Sequence, residues 1–304
     1  MKVRYFITAL GALAIAALPA GAQDRDRDQE RSDLTSKVDT TVTLSKGGTV
    51  DLSLISGEIV VTASSSNQVR IHATSERGVL QFSASADRVS LNVRSQRGHM
   101  GETRYEVSAP VGARLVLKAV SGDISSHGVN GEIEAGTVSG DLQISDAKGD
   151  ISLEAVSGDI TAEKLNGAVR VNSVSGDVSL TGVIGPLEVE TVSGELKLDG
   201  ISSKSVRTET VSGELEYDGS LDADGRYEFH SQSGDVRLRV PSNAGATVRV
   251  ETFSGSVESD FPMTMQPGDH GMGGRPKRLE FTFNGGGARL TVESFSGDIT
   301  IEKR

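Results

Sequence analysis

The sequence has no cysteine and no tryptophan, and aromatic residues make up 4% of its 304 positions. Without cysteine there is no disulfide framework and no site for lipid attachment, so stability in an oxidising compartment has to come from the packed chain itself. The shortage of aromatics removes the stacking platforms on which carbohydrate and single-stranded nucleic acid binders rely. Basic charge is also short: 31 Lys and Arg stand against 42 Asp and Glu, a net charge of −11, which argues against nucleic acid as a partner. The longest apolar run, Phe6 to Leu18, spans 13 residues, and no later segment approaches the roughly 18 to 20 that a transmembrane helix needs.

The first 22 residues instead have the three parts of a secretory signal. Lys2 and Arg4 supply basic charge, the apolar run follows, and Ala20-Gly21-Ala22 forms a small-residue cleavage site. Cleavage before Gln23 is expected, with the mature chain in the periplasm or outside the cell and no transmembrane segment within it. Losing Lys2 and Arg4 takes the charge to about −13. Residues 23–37 alternate acids and arginines, as in Asp24-Arg25-Asp26-Arg27-Asp28, and read as a disordered charged leader.

Glycine is abundant, at 36 residues, and regularly placed. Ser-Gly followed by Asp or Glu begins at Ser121, Ser139, Ser157, Ser175 and Ser193, always 18 apart, then at Ser212 and Ser233; Ser254-Gly255 and Ser296-Gly297-Asp298 follow. Inside that period is another. Gly122, Gly131, Gly140, Gly149, Gly158, Gly167, Gly176, Gly185 and Gly194 recur every nine residues, so each 18-residue unit has two similar halves. In Gly158-Asp159-Ile160-Thr161-Ala162-Glu163-Lys164-Leu165 the alternation at Ile160 and Ala162 is the period of a strand with one buried face. Leu165 breaks that parity, which predicts a bend near Glu163-Lys164, and the next glycine supplies a corner. No helical periodicity appears in this stretch.

Such a pattern predicts an all-β, single-stranded β-solenoid with about 18 to 21 residues per coil. One coil buries too few apolar side chains to offset the cost of ordering it, whereas stacked coils pair every strand and make the buried ladders continuous. Two halves per coil favour a flattened coil over a triangular one, and right-handed connections are the default. The regular part is expected over 120–304, with a Pro-, Met- and Gly-rich loop at 260–278. Over 38–119 the strand-like runs Val50 to Leu54, Val69 to Ala73, Val89 to Val93 and Tyr105 to Ser108, with corners at Ser56-Gly57, Gly78 and Gly98, fit degenerate coils or a small capping sheet of hairpins equally.

The export signal, the repeated Ser-Gly-Asp-Ile core, the lead-ins Tyr105 to Pro110 and Val236 to Pro241, and the closing Ser296-Gly297-Asp298-Ile299-Thr300-Ile301 together resemble the bacterial “putative adhesin” family, β-strand-repeat domains of unknown function. The resemblance covers roughly residues 40–304. It implies a place in the bacterial envelope and brings no catalytic or ligand-binding residues with it.

The candidates for chemistry are few. Asp123, Asp141, Asp159, Asp177, Glu195, Glu214 and Asp235 would stack into an acidic ladder, whose carboxylates are expected to accept amide hydrogens at their corners, with a weak cation surface as the alternative. Asp218, Asp222 and Asp224 imitate part of a calcium loop, but Ser220 and Ser231 occupy positions where ligands would be needed. His72, His99, His127, His230 and His270 show no paired spacing. Ser145 and Lys148 match a Ser-x-x-Lys spacing, which works only on a helix face. No catalytic, cofactor or metal residue is therefore assigned. The expected function is a non-catalytic envelope protein offering an adhesion or scaffold surface to an envelope protein or surface glycan. A polysaccharide-active enzyme and an envelope signalling or sensor module are the competing readings.

Overall fold

A computed structural model of the chain describes residues 36–95, 101–262 and 277–304. The expected signal (1–22), leader residues 23–35, Gly98, His99, His270 and positions 263–276 of the expected loop lie outside the described residues. Within them the regular structure is entirely β, with no helix; no helix is long and apolar enough to cross a membrane.

The N-terminal part contains β1 (Ser36–Thr43), β2 (Thr49–Ser64), β3 (Gln68–Ser75), β4 (Gly78–Ala84), β5 (Arg88–Ser95), β6 (Thr103–Pro110) and β7 (Arg114–His127). The repeats follow as pairs: β8 (Ile133–Ser139) and β9 (Leu142–Ser145), β10 (Ile151–Ser157) and β11 (Ile160–Asn166), β12 (Val169–Ser175) and β13 (Val178–Ile184), β14 (Leu187–Ser193) and β15 (Leu196–Ile201). Next come β16 (Ser205–Ser212) with β17 (Leu215–Gly219) and β18 (Arg226–Ser233) with β19 (Val236–Val240). The chain finishes with β20 (Ala246–Ser254), β21 (Val257–Ser259), β22 (Lys277–Phe283), β23 (Ala288–Ser296) and β24 (Ile299–Lys303).

Each 18-residue repeat contributes one strand to each of two parallel ladders. In the first, Ile151, Leu153 and Ala155 lie over Ile133, Ala135 and Thr137 on one side and over Val169, Val171 and Ser173 on the other. In the second, Ile160 and Ala162 lie between Leu142 and Ile144 and Val178 and Leu180. The inward residues of both ladders join one core. The expected bend is at Lys164, whose φ of 53° is left-handed; Gly128, Asp146, Gly182 and Gly200 share that conformation at the same place in neighbouring repeats. The turn there returns the next apolar residue to the inside: Ala147, Leu165, Val183 and Ile201 are all buried.

Corner glycines stack in direct contact. A Cβ on Gly158, whose φ is 133°, would lie 2.0 Å from the carbonyl oxygen of Gly140, so no side chain fits unless the rungs separate.

Both ends depart from simple succession. At the N-terminus Ser56-Gly57 stacks directly on Ser121-Gly122. The stretch between them is not a series of coils spaced through Gly78 and Gly98. It folds into antiparallel pairs, β1 with β3, β3 with β6, and β4 with β5, while β5 and β6 run parallel to the two halves of β2. Both expectations for 38–119 are met in part: β5 and β6 make one further parallel rung over β2, outside which β1, β3 and β4 add antiparallel strands, with β4 and β5 forming a hairpin. The first strand includes Ser36 and Lys37, assigned to the leader on sequence, and the expected boundary at 119/120 falls inside β7.

At the other end the rung containing Ser296 lies on that of Ser233, and the rung containing Ser254 lies outside it. The last strands in sequence are thus inserted between earlier ones. Lys277 and Arg278, expected in the loop, open β22, which pairs antiparallel with β20. Antiparallel strands therefore cover the first ladder at both ends and the second at its N-terminal end, limiting the exposed parallel edges that invite pairing with other chains. Where repeats lengthen, the extra residues are held by tyrosines: the Tyr217 hydroxyl donates to Ser220 O at 3.0 Å, and the Tyr227 hydroxyl donates to Ser203 O at 2.6 Å and accepts from Asp222 N at 2.7 Å.

Two measurements follow from this stacking. Gly158→Ala should lower stability by several kcal/mol, on the order of an overpacked core site, whereas Lys164→Gly should raise it by about 0.5 to 1 kcal/mol by relieving a left-handed non-glycine residue; urea unfolding reads both. Deleting residues 139–156 should leave β circular dichroism and melting close to the parent, because Ser157-Gly158 then follows Val138 in register. Deleting 139–152 should destabilise or aggregate the protein, and equal behaviour of the two deletions would refute the stacking unit.

Candidate functional site

The acidic column is the most conspicuous candidate in the sequence. Its carboxylates do accept amide hydrogens, but across rungs rather than within their own corner. Asp123 Oδ1 accepts from Asp141 N at 2.9 Å, Asp141 Oδ1 from Asp159 N at 2.9 Å, Asp159 Oδ1 from Asp177 N at 2.8 Å and Asp177 Oδ1 from Glu195 N at 2.8 Å. The chain of bonds resumes where Asp235 Oδ1 accepts from Asp298 N, and Asp298 Oδ1 from both the amide and the hydroxyl of Ser256, each at 2.8 Å. Those Ser256 bonds, the amide first, hold the Asp298 pKa below the ordinary aspartate value. Shorter Asp fits this geometry, and the chain of bonds lapses where Glu195 and Glu214 replace it.

The remaining candidates stay apart. Asp218 pairs with Arg304, while Asp222 Oδ1 accepts from Asp224 N at 3.1 Å and its other oxygen lies 3.7 Å from Lys204. Among the described residues no group of three or more His, Asp or Glu side chains is placed to hold a metal ion. His72 faces Asp39 at 3.3 Å and His230 faces Glu293 at 3.3 Å. His127 Nδ1 lies 2.9 Å from Ser145 Oγ and 3.5 Å from Asp146. Both contacts use the same ring nitrogen, so this is not a relay in which one nitrogen takes a proton from serine while the other is held by a carboxylate. Lys148 lies beyond the left-handed Asp146 and bridges to Asn166, away from the helix face that its spacing to Ser145 would require.

A depression of about 210 Å³ on the outer face of the second ladder is lined by Lys197, Asp199, Glu216, Asp218, Arg237 and Arg239. Its arginines are held by neighbours across rungs: Arg237 donates to Glu216 at 2.7 Å and Glu214 at 2.8 Å, and Arg239 to Glu302 at 3.2 Å. The hydrogen bond to Glu216 and the field of Glu214 raise the Arg237 pKa further. Burial likewise pushes the Tyr105 and Tyr217 phenols up, so neither is an available base.

One surface feature escaped the reading of the sequence. The residue before most corner serines points outward and is apolar: Val120, Val138, Val174, Val192, Val211, Phe253 and Phe295 are exposed, Ile55 and Val156 partly so, and Gln232 is the polar exception. The signal was present, since Val-Ser-Gly recurs with the corner, but the valine reads as a core residue until the path of the chain around the corner is known.

The chain matches the family described as Toastrack DUF4097 over residues 28–181 and 166–302. Solved structures with a similar arrangement include a “putative lipid binding protein” from Parabacteroides distasonis, at 11% identity over 88% of this chain and 97% of the other, with a TM-score of 0.49. A “putative adhesin” from the same organism has 7% identity over 90% and 98% of the two chains and a TM-score of 0.41. Another from Parabacteroides merdae has 8% identity over 88% and 97% and a TM-score of 0.41. No curated protein matches the sequence.

Because the acidic column is satisfied across rungs, Asp159→Ala should cost about 1 kcal/mol, the worth of one hydrogen bond, and Asp159→Asn much less, since an amide oxygen still accepts. Calcium at about 1 mM should barely move the melting temperature; a shift of many degrees would reveal real sites. For Asp298 the depressed pKa means that its contribution is present above the unfolded value and lost as pH falls through the folded one. The melting difference between the parent and Asp298→Asn should therefore persist at pH 5 and vanish below the ordinary carboxylate range.

Proposed function

The chain belongs to the Toastrack DUF4097 family, and from that membership we propose a non-catalytic protein of the bacterial cell envelope, exported by a cleavable signal at 1–22. Its body is a single-stranded β-solenoid whose regular faces serve as an adhesion or scaffold surface for an envelope protein or surface glycan. The observation that carries this reading is the repetition of similar surface groups on successive rungs, from the rung of Gly57 to that of Gly255, with carboxylates of the acidic column bonded to the next rung. Catalysis asks for a preorganised constellation of unlike groups in a site that excludes water. A surface made of one motif repeated offers extended, multivalent contact instead.

The experiment is a fractionation followed by two assays on the recovered protein. The mature chain is expected in the envelope or medium with Gln23 at its N-terminus. Immobilised, it should retain an envelope protein or glycan while releasing no reducing sugar from envelope polysaccharide. A cytosolic protein that keeps Met1, or release of reducing ends, would overturn the proposal.

A further inference from the structure

The exposed apolar residues before the corner serines form a stripe because the corners stack. Ser173 and Ser175 pair with Thr191 and Ser193, which places Val174 beside Val192, and the same relation holds at every rung. At one end Phe253 and Phe295 stack with ring centroids 5.0 Å apart and planes 2° from parallel. Val120 is 50% exposed, Val174 48% and Phe295 58%. In rung order the stripe runs from Val120 to Phe253, interrupted by one polar residue, Gln232. Nothing about a corner demands this. At the opposite corner the outward residues are Lys148, Asn166, Ile184 and Ser202, mostly polar. A row of half-exposed Val and Phe over several rungs is of the size that marks interaction sites on soluble proteins.

Charge narrows the partner. Three residues beyond the stripe lies the acidic column of Asp141, Asp159 and Asp177. Two residues before it the margin is mixed: Glu154 and Glu190 stand there, Glu209, Glu293 and Glu251 are paired with Arg207, His230 and Arg278, and Lys118 precedes Val120. An apolar seam bordered by an acidic column on a chain of net charge −11 repels a second copy of this chain, and repels an anionic membrane for the same reason. It suits a partner with an apolar stripe flanked by Lys and Arg, whose long stems cover apolar surface while their charges reach the acidic column.

The spacing narrows it again. Rungs repeat every ~4.8 Å, close to the ~5.4 Å pitch of an α-helix, whereas same-face residues on an extended strand are ~6.7 Å apart. Eight rung steps cover ~38 Å, about seven helical turns or 25 residues. We infer that the stripe is the docking surface for a basic amphipathic α-helix of another envelope protein. This inference rests on the adhesion or scaffold reading, and assigns it a face and a class of partner.

The test uses a fluorescein-labelled, 25-residue Leu/Lys peptide with one apolar stripe, titrated with the mature protein and read by anisotropy. Saturable binding is expected, weakening at least tenfold between about 0.05 and 0.3 M salt as the acidic column is screened. Val174→Ser with Val192→Ser should weaken it at least tenfold with melting unchanged, as should Phe253→Ser with Phe295→Ser. Ile184→Ser on the opposite corner should have no effect. The inference is overturned if the peptide does not bind, if both double variants bind as the parent does, or if a scrambled peptide of equal charge binds equally. Uptake by phosphatidylglycerol vesicles, or self-association lost in the same variants, would also overturn it by assigning the stripe to lipid or to a second copy. Export and retention in the envelope are read separately, so a failed titration sinks this surface alone and failed export sinks the functional reading alone.

Discussion

The closeness of one glycine corner to the next is the contact on which the rest of the molecule depends. At Gly158 a carbonyl oxygen occupies the space that a Cβ would take, and the same approach recurs at both corners of the repeat, as at Gly167 over Gly149. At the first corner the rungs from Gly57 to Gly255 carry glycine each time, whereas at the second the run Gly131 to Gly185 is flanked by Ala113 and Ser203. A fixed corner puts the residues on either side of it into columns, and the extra residues of longer repeats are taken up away from it. Buried Leu, Ile and Val become continuous ladders, aspartates form a chain of carboxylate-to-amide bonds, and outward valines form a stripe. The columns follow from the corner without any separate device to align them.

A stack of parallel rungs has two ends, and each would otherwise offer unpaired backbone groups. The N-terminal strands β1, β3 and β4, and β22 at the other end, supply antiparallel strands there. Insertion of β23 and β24 beneath β20 and β21 also ties the end of the chain into the stack, where Arg304 reaches Asp218 and Lys303 lies over Phe261. Aromatic residues gather in this part, with Tyr217, Tyr227 and Phe229 in edge contacts and Phe261 stacked on Phe283.

On the surface, the groups most suggestive of chemistry have structural employment. Carboxylates in the acidic column accept hydrogen bonds from the next rung, and arginines on the ladder faces meet glutamates one rung away, as Arg170 meets Glu188 at 2.9 Å. The exposed valines and phenylalanines before the corner serines have no such employment, and it is there that the proposed docking surface lies.

The repeat, its two halves, the bend at Lys164 and the all-β class were legible in the sequence because they are local: glycine spacing and period-2 alternation reflect steric rules that act within a few residues. Pairing between distant segments was not. Nothing near Ser56 states that its partner is Ser121 rather than a corner twenty residues on, and Ser254 and Ser296 read as successive coils although the later one lies inside. Antiparallel and parallel pairing draw on the same alternation, so the 38–119 region fitted both. The acidic column was visible as a pattern, but the acceptor role of each carboxylate in the next rung depends on the rise between rungs, and Val174 looks like core until the corner turns it outward. The sequence by itself determined the unit that repeats, because one glycine contact sets it. Only the tertiary structure decided the order of the units and which residues face solvent, because those are settled by contacts between segments far apart in the chain.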